Sequence, residues 1–128
     1  MRQTLPKSII LRGYQSFTTV ITSGISLHGI PLTAFLLTSP DEMVVAIGFS
    51  VPKKQVPLAA DRNRIKRLMR EAVRKNFDDI LSAARHKHIG VRIVLMFKRE
   101  KARNLKRLML HDIEPAWTDI RQRILSTL

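Results

Sequence analysis

The sequence predicts an α+β domain, a two-layer sandwich in the order α-β-β-β-α-β-α. Three observations carry that prediction. Residues 43–51, Met-Val-Val-Ala-Ile-Gly-Phe-Ser-Val, and residues 91–97, Val-Arg-Ile-Val-Leu-Met-Phe, are apolar β-rich runs of strand length. Between them Ile65, Leu68, Met69, Ala72, Val73 and Ile80 recur at helical spacing. After them Leu105, Leu108, Met109, Ile113, Ala116, Trp117, Ile120 and Ile124 do the same.

Residues 12–22 suit a short helix with Tyr14, Phe17, Val20 and Ile21 on one side. Gly24 and Gly29 bracket a short extended piece. Residues 32–38, Leu-Thr-Ala-Phe-Leu-Leu-Thr, suit a strand, and Pro40-Asp41 marks the turn after it. The run 43–51 reads as a central strand, and Pro52 and Pro57 bound a loop carrying Lys53 and Lys54. One long helix is then expected from about Leu58 to Arg85. The run 91–97 reads as a strand buried on both faces. The last stretch is helical, and Pro115 is expected to kink or split it. No internal repeat, low-complexity tract or linker is visible, so residues 1–128 are expected to be one domain, with residues 1–11 as a flexible extension.

Hydrophobic residues make up 45% of the chain, enough for a core, but aromatic residues only 5%, so that core rests on Leu, Ile, Val and Met. The formal net charge is +13. A field of that sign favours a polyanionic partner. It is concentrated: residues 61–107 hold sixteen basic and five acidic groups, whereas residues 108–128 hold two basic and three acidic. The binding surface is therefore expected in the middle of the chain, with the C-terminal segment as a structural cover. No run reaches the ~18 apolar residues of a membrane span, and the segment after Arg2 and Lys7 is no signal-peptide core. With no cysteine, disulfides, thiolate zinc sites and thiol nucleophiles are excluded. The expectation is a cytoplasmic protein without a membrane partner.

Residues 62–75, Arg-Asn-Arg-Ile-Lys-Arg-Leu-Met-Arg-Glu-Ala-Val-Arg-Lys, are the most informative stretch. At 100° per residue the apolar positions share one arc. Asn63, Arg67, Arg70 and Arg74 share the opposite one, with Lys66 at its edge. A helix docked by its apolar side must then present the Arg/Asn row to solvent. The planar fork of Arg suits phosphate, and Asn63 adds a neutral donor and acceptor for a base edge or a 2′-hydroxyl. The competing view is a solvated charged face stapled by the i,i+4 pairs Arg67–Glu71 and Arg74–Asp78.

The stretch Gly48-Phe-Ser-Val-Pro-Lys-Lys, seven residues, and then Arg62-Asn-Arg-Ile-Lys-Arg-Leu-Met-Arg-Glu-Ala-Val-Arg74 resembles the protein subunit of bacterial ribonuclease P. The match is compact from Gly48 to Asn76. Outside that window it rests on element order, length and charge. The resemblance implies a left-handed β-α-β crossover, a topology shared with the second domain of a small-subunit ribosomal protein. It implies a non-catalytic protein subunit of an endoribonuclease. There the RNA subunit, with Mg²⁺ held mainly by RNA, removes the 5′ leader of precursor tRNA. The implied partners are the ribonuclease P RNA and the precursor tRNA leader, with no protein partner. Carried over by position, Arg62, Asn63, Arg64, Lys66, Arg67 and Arg70 form the RNA-contacting motif, joined by Arg74 and by Lys53 and Lys54. The leader cleft falls on Phe17, Ile21 and Phe35, and the rings of Phe17 and Phe35 would stack on unpaired bases. The family has an aromatic where this chain has Ile21. Lys98, Arg99, Lys101, Arg103, Lys106 and Arg107 form a further basic cluster that suits phosphate contacts or a solvated linker equally.

No catalytic group is expected in the protein itself. Asp41-Glu42 and Asp78-Asp79 fall at turns and helix surfaces, and His86 and His88 lack further ligands for a metal. There is no phosphate-cradling Gly-rich loop and no nucleophile elbow. A basic structural RNA-binding protein, such as a ribosomal protein, is the alternative. A major-groove DNA-binding helix is disfavoured because strands flank the basic helix.

Overall fold

In the computed structural model the chain is described at residues 5, 9–42, 44–100 and 104–128. Helix α1 (Tyr14–Ser23) is followed by strands β1 (Ile25–Leu27), β2 (Leu32–Ser39) and β3 (Val45–Ser50). Helices α2 (Ala59–Lys75) and α3 (Asp78–Lys87), strand β4 (Gly90–Phe97), a 3₁₀ turn at Leu105–Arg107 and helix α4 (Leu110–Thr127) complete it. The four strands are ordered β1-β2-β4-β3; β1–β2 and β2–β4 are antiparallel, and β3–β4 is parallel. A parallel pair cannot be closed by a tight turn, so β3 reaches β4 through the α2–α3 crossover.

The pleat separates two faces. Leu32, Leu36, Ile47, Phe49, Ile93 and Leu95 point to one side. There they pack with Ile65, Met69 and Val73 of α2, Ile80 of α3, and Ile113, Trp117, Ile120 and Ile124 of α4. Register places Phe35, Val94 and Gly48 side by side on the other face. Helix α1 lies against that face, touching β2 and β4, and its Val20 and the strand residue Val94 are fully buried.

The single helix expected over 58–85 is two helices. The apolar period runs unbroken through Val73, Phe77, Ile80 and Ala84, which hides the break. It arises because Asn76 leaves helical geometry (φ −141°, ψ 56°) and the indole Nε1 of Trp117 donates to its carbonyl at 3.3 Å. Phe77, 2% exposed, stacks on the same indole with centroids 6.5 Å apart. A partner distant in sequence thus satisfies a helix-end carbonyl that would otherwise be orphaned.

Pro115, expected to kink or split the last helix, does not split it: it lies inside the uninterrupted α4. It sits in the second turn, where it cannot donate to the His111 carbonyl and its ring crowds that carbonyl, yet the helix continues past it. The helical stretch does break earlier, between the 3₁₀ turn and α4, at Leu108 and Met109, both in extended geometry. Asp112 accepts from the Met109 backbone at 2.8 Å and closes the start of α4.

Residues 9–11, expected within a flexible extension, lie along the free edge of β3. Ile10 bridges Ile47 in parallel, and the Leu11 amide donates to the Ile47 carbonyl at 2.9 Å. Arg2 and Lys7 lie outside the described residues.

Candidate RNA interface

Helix α2 docks on the sheet through Ile65, Met69, Ala72 and Val73, all buried. That packing fixes the orientation of every cation on it. Asn63, Arg67 and Arg70 are exposed. Arg70 lies over the Phe49 ring, 5.8 Å from its centroid, which steadies the guanidinium without neutralising it. Among the described residues no carboxylate pairs with Arg67 or Arg70.

The two outer arginines of the Arg-Asn-Arg triplet are engaged with backbone. Arg62 donates to the carbonyls of Val56 (3.0 Å) and Pro57 (2.6 Å), bracing the loop before α2. Arg64 reaches the carbonyls of Leu105 (3.3 Å) and Leu108 and the Met109 sulfur (3.6 Å). It therefore clasps the irregular turn ahead of α4. Neither pair of the competing view, Arg67–Glu71 or Arg74–Asp78, is formed. Glu71 instead pairs with Arg74, one oxygen accepting from Nε at 3.0 Å and the other from Nη2. The hydrogen bonds to Glu71, aided by its charge, raise the Arg74 pKa above its ordinary value.

Two grooves flank α2. One, of about 420 Å³, is lined by Gly13, Phe17, Thr18 and Ile21 of the α1 region, by Phe49, Ser50 and Val51, and by Lys66. Sequence reasoning grouped Lys66 with the Arg row; its helical phase turns it into this groove beside Phe17 and Ile21. Phe17 and Ile21 are half-buried, neither sealed in the core nor free. Phe35, also half-buried, stands in the cross-strand row of Gly48 but outside the groove lining. The other groove, of about 450 Å³, lies between the N-terminal segment and α2 and is lined by Leu5, Ile10, Arg12, Arg67, Arg70, Glu71 and Arg74. Arg12 was missed at the sequence level: it is an isolated basic residue just ahead of α1, with no neighbouring cation to mark it.

Lys53 and Lys54 are exposed on the turn after β3. The Arg99 amide donates to the Gln55 side chain at 2.8 Å, tying the start of the second basic cluster to that lysine turn. Lys98, Arg99, Lys106 and Arg107 are exposed, while Lys101 and Arg103 lie outside the described residues. Among the described residues no group of three His, Asp or Glu side chains converges as a metal site, and no helix is long and apolar enough to cross a membrane.

This arrangement defines a basic α+β domain in which one helix displays a guanidinium row between two grooves. Residues 5–121 match the family model described as Ribonuclease P, and the chain belongs to that family. The ribonuclease P protein component of Chlorobaculum tepidum is 43% identical over 75 residues, 55% of this chain and 49% of that one. Its counterpart from Chlorobium phaeobacteroides is 41% identical over 76 residues, 56% and 52% of the two chains. The chain thus aligns with about half the length of these curated relatives. Among solved structures, the RNase P protein from Thermotoga maritima matches with a TM-score of 0.70 at 21% identity, over 88% of this chain and 94% of that one. The Staphylococcus aureus RNase P protein matches at 0.65 and 20% identity, over 92% and 96%. These two likenesses concern the fold.

Proposed function

We propose that the protein is the protein component of ribonuclease P, which assists an RNA catalyst in removing the 5′ leader of precursor tRNA. One observation carries the reading: Asn63, Arg67 and Arg70 stand exposed on α2, with no carboxylate partner for either arginine among the described residues, next to a groove holding Phe17, Ile21 and Lys66. The exposed row binds the RNA subunit, and the groove takes the single-stranded leader.

The chain's residues then do three things. Arg67 and Arg70 donate to phosphates of the RNA subunit, and Asn63 reaches a base edge or 2′-hydroxyl. The Phe17 ring stacks on an unpaired leader base while Lys66 meets the neighbouring phosphate; stacking tolerates any base, which suits leaders of varied sequence. Lys53, Lys54, Lys98 and Arg99 extend the positive field beside the groove and steer both RNAs. Arg62, Arg64 and Arg74 support the surface by holding the loop before α2, the turn before α4 and Glu71. The phosphodiester is hydrolysed by the RNA subunit with its Mg²⁺, and the protein raises substrate affinity. Such work belongs in the cytoplasm, where tRNA precursors are made.

Reconstitution tests the proposal. Protein is mixed with a bacterial ribonuclease P RNA and precursor tRNA at low Mg²⁺, and leader release is followed. Faster release than with RNA alone is expected, and none from protein alone. Release without the RNA would overturn the division of labour. No effect at any salt or Mg²⁺ would point instead to a structural RNA-binding protein of the ribosomal kind.

A further inference from the structure

The second groove is defined by its charge. Four guanidinium groups, from Arg12, Arg67, Arg70 and Arg74, surround about 450 Å³ with one carboxylate, Glu71, among them. Glu71 is paired with Arg74. Arg70 lies over the face of Phe49 and has no carboxylate partner among the described residues. Arg12 and Arg67 are exposed and, among the described residues, make no hydrogen bond or ion pair. Uncompensated cations around one concavity repel one another, and an anion entering it relieves the repulsion. The opposite wall is apolar: Leu5 and Ile10 are half-buried and pack against the core, and Ile10 is pinned to the β3 edge.

Shape narrows the ligand. The volume falls within the range of small-molecule sites, roughly 300–1,000 Å³. A helical stem presents a broad convex surface that a slot cannot seat, whereas a single protruding group can enter. A flat, partly apolar body carrying phosphate matches a wall of Leu5 and Ile10 facing arginines, because guanidinium planes stack on unpaired bases and fork onto phosphate oxygens. Arg12 lines this groove and Gly13 lines the one holding Phe17. The start of α1 therefore divides two separate compartments.

We propose that this groove is a mononucleotide site, with phosphate held by Arg12 and Arg67 and the base laid against Leu5 and Ile10. The nucleotide is either one looped out of the RNA subunit, a source that rests on the function proposed above, or a free nucleoside polyphosphate.

The test uses the full chain and the variants Arg12→Ala and Ile10→Ala. In one arm, bases of the bound ribonuclease P RNA are probed chemically. In the other, adenosine triphosphate and, as a base-less control, inorganic pyrophosphate are titrated into the protein. If the RNA supplies the nucleotide, one unpaired base is protected by the wild-type protein and loses that protection in both variants, while the rest of the footprint remains. If the nucleotide is free, adenosine triphosphate binding weakens about tenfold in both variants, and pyrophosphate binding weakens only in Arg12→Ala. Arg12 is exposed and has no partner among the described residues, so its truncation reads out binding even where Ile10→Ala is unstable. If neither arm changes with Arg12→Ala, the site does not exist. A wild-type protein that fails to bind the RNA subunit sinks the function proposed above, and the titration arm alone then decides the site.

Discussion

The ring of Phe17 occupies the space above Gly48. A Cβ placed on that glycine would come within 2.4 Å of the ring's Cζ and 2.8 Å of its Cε1. Gly48 is therefore the seat against which α1 sets the tip of its aromatic ring on β3. Gly48→Ala should force the ring off the strand and cost about 1–3 kcal/mol of stability, the range for overpacking. Chemical denaturation measures this. A variant as stable as wild type would show that the ring moves freely and that the seat is unimportant.

Phe17→Ala tests what the seated ring does. If a leader base stacks there, affinity for a precursor tRNA with a long leader should fall by ~1–3 kcal/mol, while mature tRNA is unaffected. Equal losses for both would make Phe17 a packing residue of α1.

Reversing charge at Arg67 and Arg70 should weaken RNA binding and flatten its salt dependence. Each lost phosphate contact removes ~0.7–0.9 from the log–log slope, so the double variant should lose roughly twice that. An unchanged slope in filter binding would mean that the row is only solvated.

Arg64→Ala should behave differently from Arg67→Ala although both lie in the motif. Its guanidinium holds the carbonyls of Leu105 and Leu108, so truncation should cost roughly 1–3 kcal/mol of stability. The salt slope of RNA binding should hold. A large slope change without destabilisation would place Arg64 on RNA instead.

Trp117 carries the break between α2 and α3. Trp117→Phe keeps most of the packing on Phe77 but loses the donor to Asn76, a loss of about 1–3 kcal/mol if that carbonyl stays dry. Trp117→Ala should cost ~3–5 kcal/mol. Thermal melts of the two variants separate the hydrogen bond from the packing.

Helical and strand periodicity located α1, the strands β2, β3 and β4 and the two helical stretches around β4, though not the division of the first into α2 and α3, because a side chain's face is fixed by a local repeat of 3.6 or 2.0 residues. The exposed positions of Asn63, Arg67 and Arg70 followed from the same arithmetic: Ile65, Met69 and Val73 could bury only one side of α2. The resemblance between Gly48 and Asn76 supplied the family, which the match over residues 5–121 bears out. The break at Asn76 was not legible, since Phe77 and Ile80 continue the apolar period and the group that ends α2 is an indole 41 residues away. The different fates of the motif's arginines were equally hidden. Arg62 and Arg64 meet backbone carbonyls brought near by loop and turn geometry, which no spacing rule encodes.

Local chemistry along the chain thus determined which residues are apolar, which are cationic, and which side of each helix or strand they occupy. Only the tertiary structure decided which cations stay free and which brace backbone. It likewise made Arg12 and Lys66 lining residues of two different grooves. Such choices depend on what lies a few ångströms away in space, and contacts between distant segments exist only after the sheet and its helices have packed.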